Sequence, residues 1–449
     1  DVWFLDGFSP SKNADLWTGD IFYQIARLSS LKARFATYSV ASSVKDGLVK
    51  SGFKIEKQKG FGKKREMLFG YKKNTSILRR TSNQNKNVII IGAGIAGASI
   101  AHGLRTTNIP HLVLEGSEFI AQGASGNPAG LQSPQLMAAP NPSMQMSLAC
   151  FSYARRLAVQ HEVVLSNGLV SLNYPEKQGN RQKKMAGQKW PSELVKIATA
   201  NHISQLTNVE IKEDGYIQLA GQVINPVKLT ESLLAESEVI TGVSITSIQK
   251  INENWEIKTS KGQTYSASDL VLCIGSGLPQ FLKRFSLPSL DLQVTSGQLS
   301  FLPKNTFFNN LSTSLQYGGY ITPMLNGKQV LGASFDLSAT TEVTKKAHFH
   351  NISLLPNALR KLMPNINELQ GRVSQRLASN DRLPLVGDWH ESIHLFSALG
   401  SRGLTNAPLL GLVLARKIAH RPAGLERNIM RLIDPERFSI RATRSKSRR

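Results

Sequence analysis

Acid and cysteine are scarce in this chain, and long apolar runs are missing. The two cysteines, Cys150 and Cys273, stand far apart and without paired spacing. This excludes a disulfide framework and a thiolate metal site, and points to a reducing, cytoplasmic setting. No stretch of about 18 apolar residues is available to span a bilayer, and the first residues lack the basic-then-apolar order of a secretory leader, so no membrane role is expected. Nine histidines show no ligand spacing, and no resident metal is expected. His348–His350 falls in a charged stretch and reads as a solvated face, while Cys273 reads as an inert core thiol. Against 31 Asp and Glu stand 54 Lys and Arg, a formal net charge of +23. Such a surplus favours a polyanionic partner. It gathers between Lys54 and Arg80 and again in RFSIRATRSKSRR, Arg437 to Arg449. The alternative for these stretches is a solubilising face and a disordered tail.

What is present divides in two. Residues 1–73 read as WFLDGF, a strand with its exit turn; DIFYQIARLS, a helix; RFATYSVA, a strand; VKDGLVKSGF, a short helix; and two closing strands, KIEKQKGF and KREMLFGYK. Alternation of this kind belongs to the second half of an α/β sheet. Residues 74–87 are polar, basic and without apolar period, and read as a linker.

VIIIGAGIAGASIAHGL, Val88 to Leu104, is an apolar strand, a glycine turn and a small-residue helix, followed by the strand HLVLE. Gly92, Gly94 and Gly97 form G-x-G-x-x-G, and Glu115 ends the second strand near the spacing of a ribose-binding acid. The first glycine permits the turn, the second lets backbone approach a pyrophosphate, and the third lets helix and strand pack closely. Helix N-terminal amides then hold the phosphates. Three distant stretches suit an extended flavin dinucleotide: GASGNPAGL with Ser125, Asn127 and Gly130; DLVLCIGSG with Gly275; and LFSALGSRGLTNAPLLGLVLA with Gly400, Ser401, Gly403, Leu404 and Thr405. The last is a strand, a turn and a helix whose N-terminus can face the flavin ring.

On these motifs, with GGYITP and DRLPLVG in the same order, residues 88–425 resemble the FAD-dependent D-amino-acid oxidase and glycine oxidase family. DGFSPSKNADLW and GFGKKREMLFG ahead of that oxidase resemble the bifunctional tRNA wobble-uridine-modifying enzymes, in which a methyltransferase precedes it. The resemblance implies an α/β fold: a Rossmann-type FAD-binding domain (about 88–165, 226–290 and 371–425) with an inserted antiparallel-sheet substrate domain (about 166–225 and 291–370). Ahead of it, residues 1–73 would be the second half of a Rossmann-like methyltransferase domain, and residues 426–449 a basic tail. The chain reads as a fragment, so S-adenosylmethionine is expected only in a full-length form.

The implied reaction removes a hydride from the carbon beside the amine of 5-carboxymethylaminomethyl-(2-thio)uridine in tRNA. Hydrolysis of the imine releases glyoxylate and leaves 5-aminomethyl-(2-thio)uridine, which a complete methyltransferase would methylate. FAD carries the redox chemistry. Arg376 matches the family's carboxylate-binding arginine and Arg402 lies at the turn nearest the flavin; a planar fork suits a carboxylate. Tyr320 could assist through its hydroxyl, and Asp6 would orient the amine in the methyl transfer. Two other readings stay open: a glycine or sarcosine oxidase acting on a free amino acid, and an RNA-binding protein that keeps a structural flavin.

Overall fold

A computed structural model describes residues 2–30, 33–62, 64–73, 86–304, 306–337 and 340–438. Most of the linker (74–85) and the closing basic run (439–449) lie outside the described residues. The chain divides into two compact units, Asp1–Gln84 and Asn85–Arg449.

In the first unit the helix Gly19–Leu28 buries Phe22, Ile25 and Ala26, an i, i+3, i+4 stripe. The helix Ser42–Lys50 buries Val44 and Leu48. Both stripes meet Phe35, Phe53 and Leu68 from the sheet, with Trp17 closing the cluster. The strands lie in the order Val2–Phe4, Arg34–Thr37, Glu66–Lys72, Phe53–Lys59. The first pair is parallel and the others antiparallel. Strand, helix, strand, helix and two strands is the succession read from the sequence.

The second unit is built on a six-stranded sheet in the order Glu238–Ile240, His111–Leu114, Val88–Ile91, Asp269–Leu272, Ile393–Ser397, Leu385–His390. All neighbours are parallel except the last pair. Val88–Ile91 is buried throughout because both faces are covered, as in parallel sheets generally. Ile90 packs with Ile100, Leu104, Leu410 and Leu414 from the helices Ile95–Thr106 and Gly403–Ile418. Ile89 and Ile91 face Trp255 and Ile257 of an antiparallel meander, Ile245–Ile251, Asn254–Thr259 and Thr264–Ala267.

A second, larger sheet runs Gln370–Ser379, Leu292–Leu302, Gln329–Gly332, Tyr320–Ile321, Ser314–Gln316, Val164–Leu172, Gly215–Ile224, Gly130–Gln132, with Lys196–Ala198 also paired to Gly215–Ile224. It is antiparallel apart from the parallel pair Ser314–Gln316 and Val164–Leu172.

Three details depart from the sequence reading. Gln370–Ser379 pairs along its length with Leu292–Leu302, so the segment assigned to FAD binding from residue 371 opens with a strand of the substrate sheet. The basic tail does not begin at 426: Arg427–Ile433 is a helix whose Ile429 and Ile433 enter the main core, and Arg437 is buried. Its guanidinium forks onto both oxygens of Asp381, at 2.8 and 3.0 Å, which satisfies a charge that composition alone assigns to solvent. His348 is also buried and shares a 2.7 Å hydrogen bond with Ser300 Oγ. Only one side of its helix, Lys345–Ser353, meets solvent, so His350 is exposed while His348 is not.

Candidate active site

The dinucleotide cradle grows from the turn after Val88–Ile91. Gly92 has φ +107°, and a side chain there would begin 2.6 Å from the Cys273 carbonyl. Both facts require glycine. Gly97 sits so tightly on the Gly92 carbonyl that any side chain would collide with it. At Gly94 the nearest obstacle to a side chain is Ser125 Oγ, 3.2 Å away, and its backbone borders a cleft of about 1440 Å³. The Ile95 amide, at the start of the fingerprint helix, donates to Ser125 Oγ at 2.9 Å. Glu115 is fixed by amides, its Oε2 accepting from Ala93 at 2.7 Å and its Oε1 from Ser117 at 2.8 Å. Each oxygen retains a lone pair for a ligand hydroxyl.

Gly92, Gly94, Glu115, Ser125, Asn127, Gly130, Gly275, Gly400, Ser401, Gly403, Leu404 and Thr405 all border this cleft, and Gly97 stands behind it. Gly275 and Gly400 have φ +65° and +56°, so both late glycine turns need the left-handed backbone. Gly130 is packed on Leu404, and Gln132 Nε2 donates to the Leu404 carbonyl at 2.8 Å. The start of the helix Gly403–Ile418 is thereby tied to the substrate sheet.

Arg376, Arg402 and Tyr320 meet in the same cleft. Arg376 projects from Gln370–Ser379, opposite Thr295. Desolvation lowers the pKa of its guanidinium, and nearby Tyr320 acts in the opposite sense. Burial pushes the Tyr320 phenol up to about 12, against the pull of Arg376, so it is a neutral hydrogen-bond donor at physiological pH. Arg402 opens onto the cleft at the turn before Gly403–Ile418, and desolvation lowers its pKa too. Neither arginine has an ion-pair partner among the described residues. For the half-buried Arg376 a cation without a counter-charge is costly unless an anion arrives, whereas Arg402 stays open to the cleft.

Sequence reasoning missed three residues of this site. Arg372, two strand repeats before Arg376, donates to Asn127 Oδ1 at 2.6 Å and to the carbonyls of Gln122 and Gly123 at 2.8 Å. It stitches the loop 122–127 over the cradle. Gly297 and Gly332 leave room for the Arg376 guanidinium and the Tyr320 ring, which any side chain there would strike. Alternation along the strand is the one signal that could have singled out Arg372. Cys273 borders the cleft, but burial raises its thiol pKa far above the ordinary value, consistent with an inert core thiol. Asp6 belongs to the first unit, exposed just beyond the strand Val2–Phe4.

Similarity to known proteins follows the same division. A family model described as FAD dependent oxidoreductase matches residues 87–417, and one described as S-adenosyl-L-methionine-dependent methyltransferase matches residues 1–73. The tRNA 5-methylaminomethyl-2-thiouridine biosynthesis bifunctional protein MnmC of Aeromonas hydrophila subsp. hydrophila is 30% identical over 491 residues, covering 98% of this chain and 73% of its own length. The chain belongs to the MnmC family. The MnmC protein of Pseudoalteromonas atlantica is likewise 30% identical, covering 98% of this chain and 75% of its own length. Glycine oxidase from Geobacillus kaustophilus shares the fold with a TM-score of 0.63 at 18% identity, over 76% of this chain and 97% of its own. L-Proline dehydrogenase from P. horikoshii does so with 0.64 at 15%, over 79% and 98%. The second unit of this MnmC-family chain is an FAD-dependent oxidoreductase. Its residues fit that cofactor: the Gly94 backbone is open to the cleft, amides of the fingerprint helix stand beside it, and the Glu115 carboxylate is held in place.

Proposed function

We infer that the chain acts in tRNA wobble-uridine modification, removing the carboxymethyl group from 5-carboxymethylaminomethyl-(2-thio)uridine to leave the 5-aminomethyl product. The observation that carries this reading is two arginines on the FAD-family cleft with no ion-pair partner among the described residues, Arg376 half-buried near Tyr320 and Arg402 at the turn before Gly403–Ile418. The substrate's glycine-like end supplies the missing anion. Gly92, Gly94, Glu115, Ser125 and the amides at the start of Ile95–Thr106 would hold FAD, with the turn Gly400–Thr405 on the ring side. When bound, FAD supplies the hydride acceptor.

The chain's own residues have three tasks. Arg376 clamps the carboxylate, and its fork fixes the orientation of the carbon that loses hydride. Tyr320, neutral at working pH, donates to the same carboxylate. Arg402 adds a second positive charge, and two cations together disfavour protonation of the neighbouring amine, whose lone pair is needed to stabilise the developing imine. Water then cleaves the imine to glyoxylate and the aminomethyl group.

In a protein with a complete methyltransferase domain, S-adenosylmethionine would methylate that amine, with Asp6 orienting it and taking up its proton. Two buried free cysteines accord with a cytoplasmic setting, and no helix among the described residues is long and apolar enough to cross a membrane.

The test is to incubate the purified, flavin-loaded protein with carboxymethylaminomethylated tRNA and follow the wobble nucleoside by mass spectrometry. Appearance of the aminomethyl nucleoside with equimolar glyoxylate is expected. Peroxide release from free glycine with the tRNA left unchanged would favour the small-molecule oxidase instead.

A further inference from the structure

Among the described residues bordering the cleft, five are cationic (Lys177, Arg181, Arg284, Arg376 and Arg402) and one, Glu115, is acidic. A single carboxylate substrate accounts for Arg376 and Arg402. Lys177 and Arg181 have no such occupant. They lie on the helix Glu176–Ala186, where Lys177, Gln178, Arg181, Gln182 and Met185 all face the cleft. Those positions repeat as i, i+1, i+4, i+5, i+8, one side of a helix.

The helix is anchored from its far end and from beneath. Met185 packs with Val195 and Tyr216, and Gly179 rests on the Asn173 backbone, where any side chain would collide. Its near end stands beside the segment that carries Tyr320. Gln178 Oε1 is 3.4 Å from where a side chain at Gly318 would begin, and Gly318 is two residues before Tyr320. Lys177 and Arg181 are exposed and make no ion pair among the described residues.

A helical wall of the cleft with two cations one turn apart, neither in an ion pair among the described residues, suits a phosphodiester backbone. Successive phosphates along a strand present a row of anions at fixed intervals, and sequence-blind affinity for such a row comes from lysine and arginine. Gln178 and Gln182 between the cations offer amide donors and acceptors to sugars and base edges.

Resting on the tRNA reading above, we propose that this helix receives the single-stranded tRNA backbone flanking the wobble nucleotide, with Lys177 and Arg181 each neutralising a phosphate while the modified base enters toward Arg376. The helix thus selects RNA-borne over free substrate.

The test compares the flavin-loaded wild type with Lys177→Glu/Arg181→Glu and with the conservative Lys177→Arg/Arg181→Lys, measuring tRNA binding without turnover between 50 and 200 mM salt. The charge-reversed protein is expected to bind at least tenfold more weakly at the low-salt end. Its plot of log affinity against log salt should be shallower by about 1.4, because each of the two single-strand phosphates left unneutralised takes about 0.7 from the slope. The conservative pair should keep the wild-type slope. Flavin content equal to wild type establishes that the reversed protein is folded; if it is not, Lys177→Ala/Arg181→Ala is read in its place, with the same reduction of slope expected. Wild-type affinity and slope in a folded charge-removed or charge-reversed protein would overturn the proposal. Because binding is read apart from oxidation, that outcome is distinct from failure of the wobble-nucleoside assay, which would sink the tRNA reading itself.

Discussion

The two ends of the six-stranded sheet treat charge in opposite ways. At the amino ends of its parallel strands, His394 is held between two carboxylates, Nε2 to Asp269 Oδ1 and Nδ1 to Asp388 Oδ1, both at 2.9 Å. Lys86 stands 3.6 Å from Asp269 and Lys417 3.2 Å from Asp388. Each of these five groups has its counter-charge within the protein. At the carboxyl ends stand the glycine turns, the Glu115 carboxylate and Arg402, with Arg376 brought alongside from the second sheet, and the two arginines have no ion-pair partner among the described residues. Conspicuous buried charge is therefore no mark of function by itself. What separates the ends is whether the charge is already answered, and in open α/β sheets the unanswered end is the carboxyl one.

The contrast is most exposed to test at Gly94. Gly94→Val puts a branched side chain where the backbone must approach a pyrophosphate. The purified variant should be colourless, with no flavin absorbance after desalting, while the core packing of the amino end is untouched. Full flavin content would mean that the cofactor is not held where we place it.

At the opposite end the expected loss is stability, with no loss of function. Asp269→Ala leaves His394 and Lys86 without their shared buried acceptor, and breaking a buried pair from one side costs about 3 to 5 kcal/mol. Denaturant unfolding should show that loss with the flavin spectrum and the KM for tRNA unchanged. A shifted KM with unchanged stability would reverse the assignment of the two ends.

Arg376→Ala should do the converse. Removing a charge-assisted hydrogen bond of about 1.5 to 3 kcal/mol raises the KM for the carboxymethylated substrate roughly ten- to hundredfold and spares flavin content. Arg376→Lys should rescue poorly, since an ammonium lacks the fork. Steady-state kinetics on both variants decide it.

The smallest effect is in the pH dependence of stability. Burial alone would lower the His394 pKa, but its hydrogen bonds to Asp269 and Asp388 outweigh burial and raise it above 6.5. Its contribution is therefore complete below the unfolded value and fades as pH rises through the higher folded one. Asp388 has the opposite sign. Its hydrogen bond from His394, aided by Lys417, holds its pKa at about 2, so its contribution is present above 3.8 and is lost as pH falls toward 2. His394→Gln should flatten the decline in thermal midpoint as pH rises above 6.5 and leave the wobble-nucleoside assay as it was; an unaltered pH profile would show that His394 is not held as the imidazolium.

Local chemistry made much of this readable in advance. The strand–turn–helix at Val88–Leu104 is legible because glycine requirements are local: Gly92 needs its positive φ and Gly97 its lack of a side chain within a few residues of each other. The elements of the first 73 residues were legible for the same reason, since each apolar stripe lies within a single helix or strand. His348 and the stretch 426–438 were misread because their neighbourhoods are charged; His348 is matched by Ser300 and Arg437 by Asp381, each tens of residues away.

By itself, then, the sequence determined the order of elements, the glycine cradle, the excess of positive charge and, through the family's motifs, the chemistry and the two cleft arginines. Only the tertiary structure decided which of many arginines are spoken for. Arg372, Arg376 and Arg437 are the same residue to composition, yet one fastens a loop, one is left open beside Tyr320, and one is locked onto Asp381. The same holds for Gly297 and Gly332, whose value is the space they leave for a neighbour from another strand. The physical reason is that electrostatic and steric satisfaction are pairwise properties of groups far apart in sequence, fixed only when the strands are registered against one another.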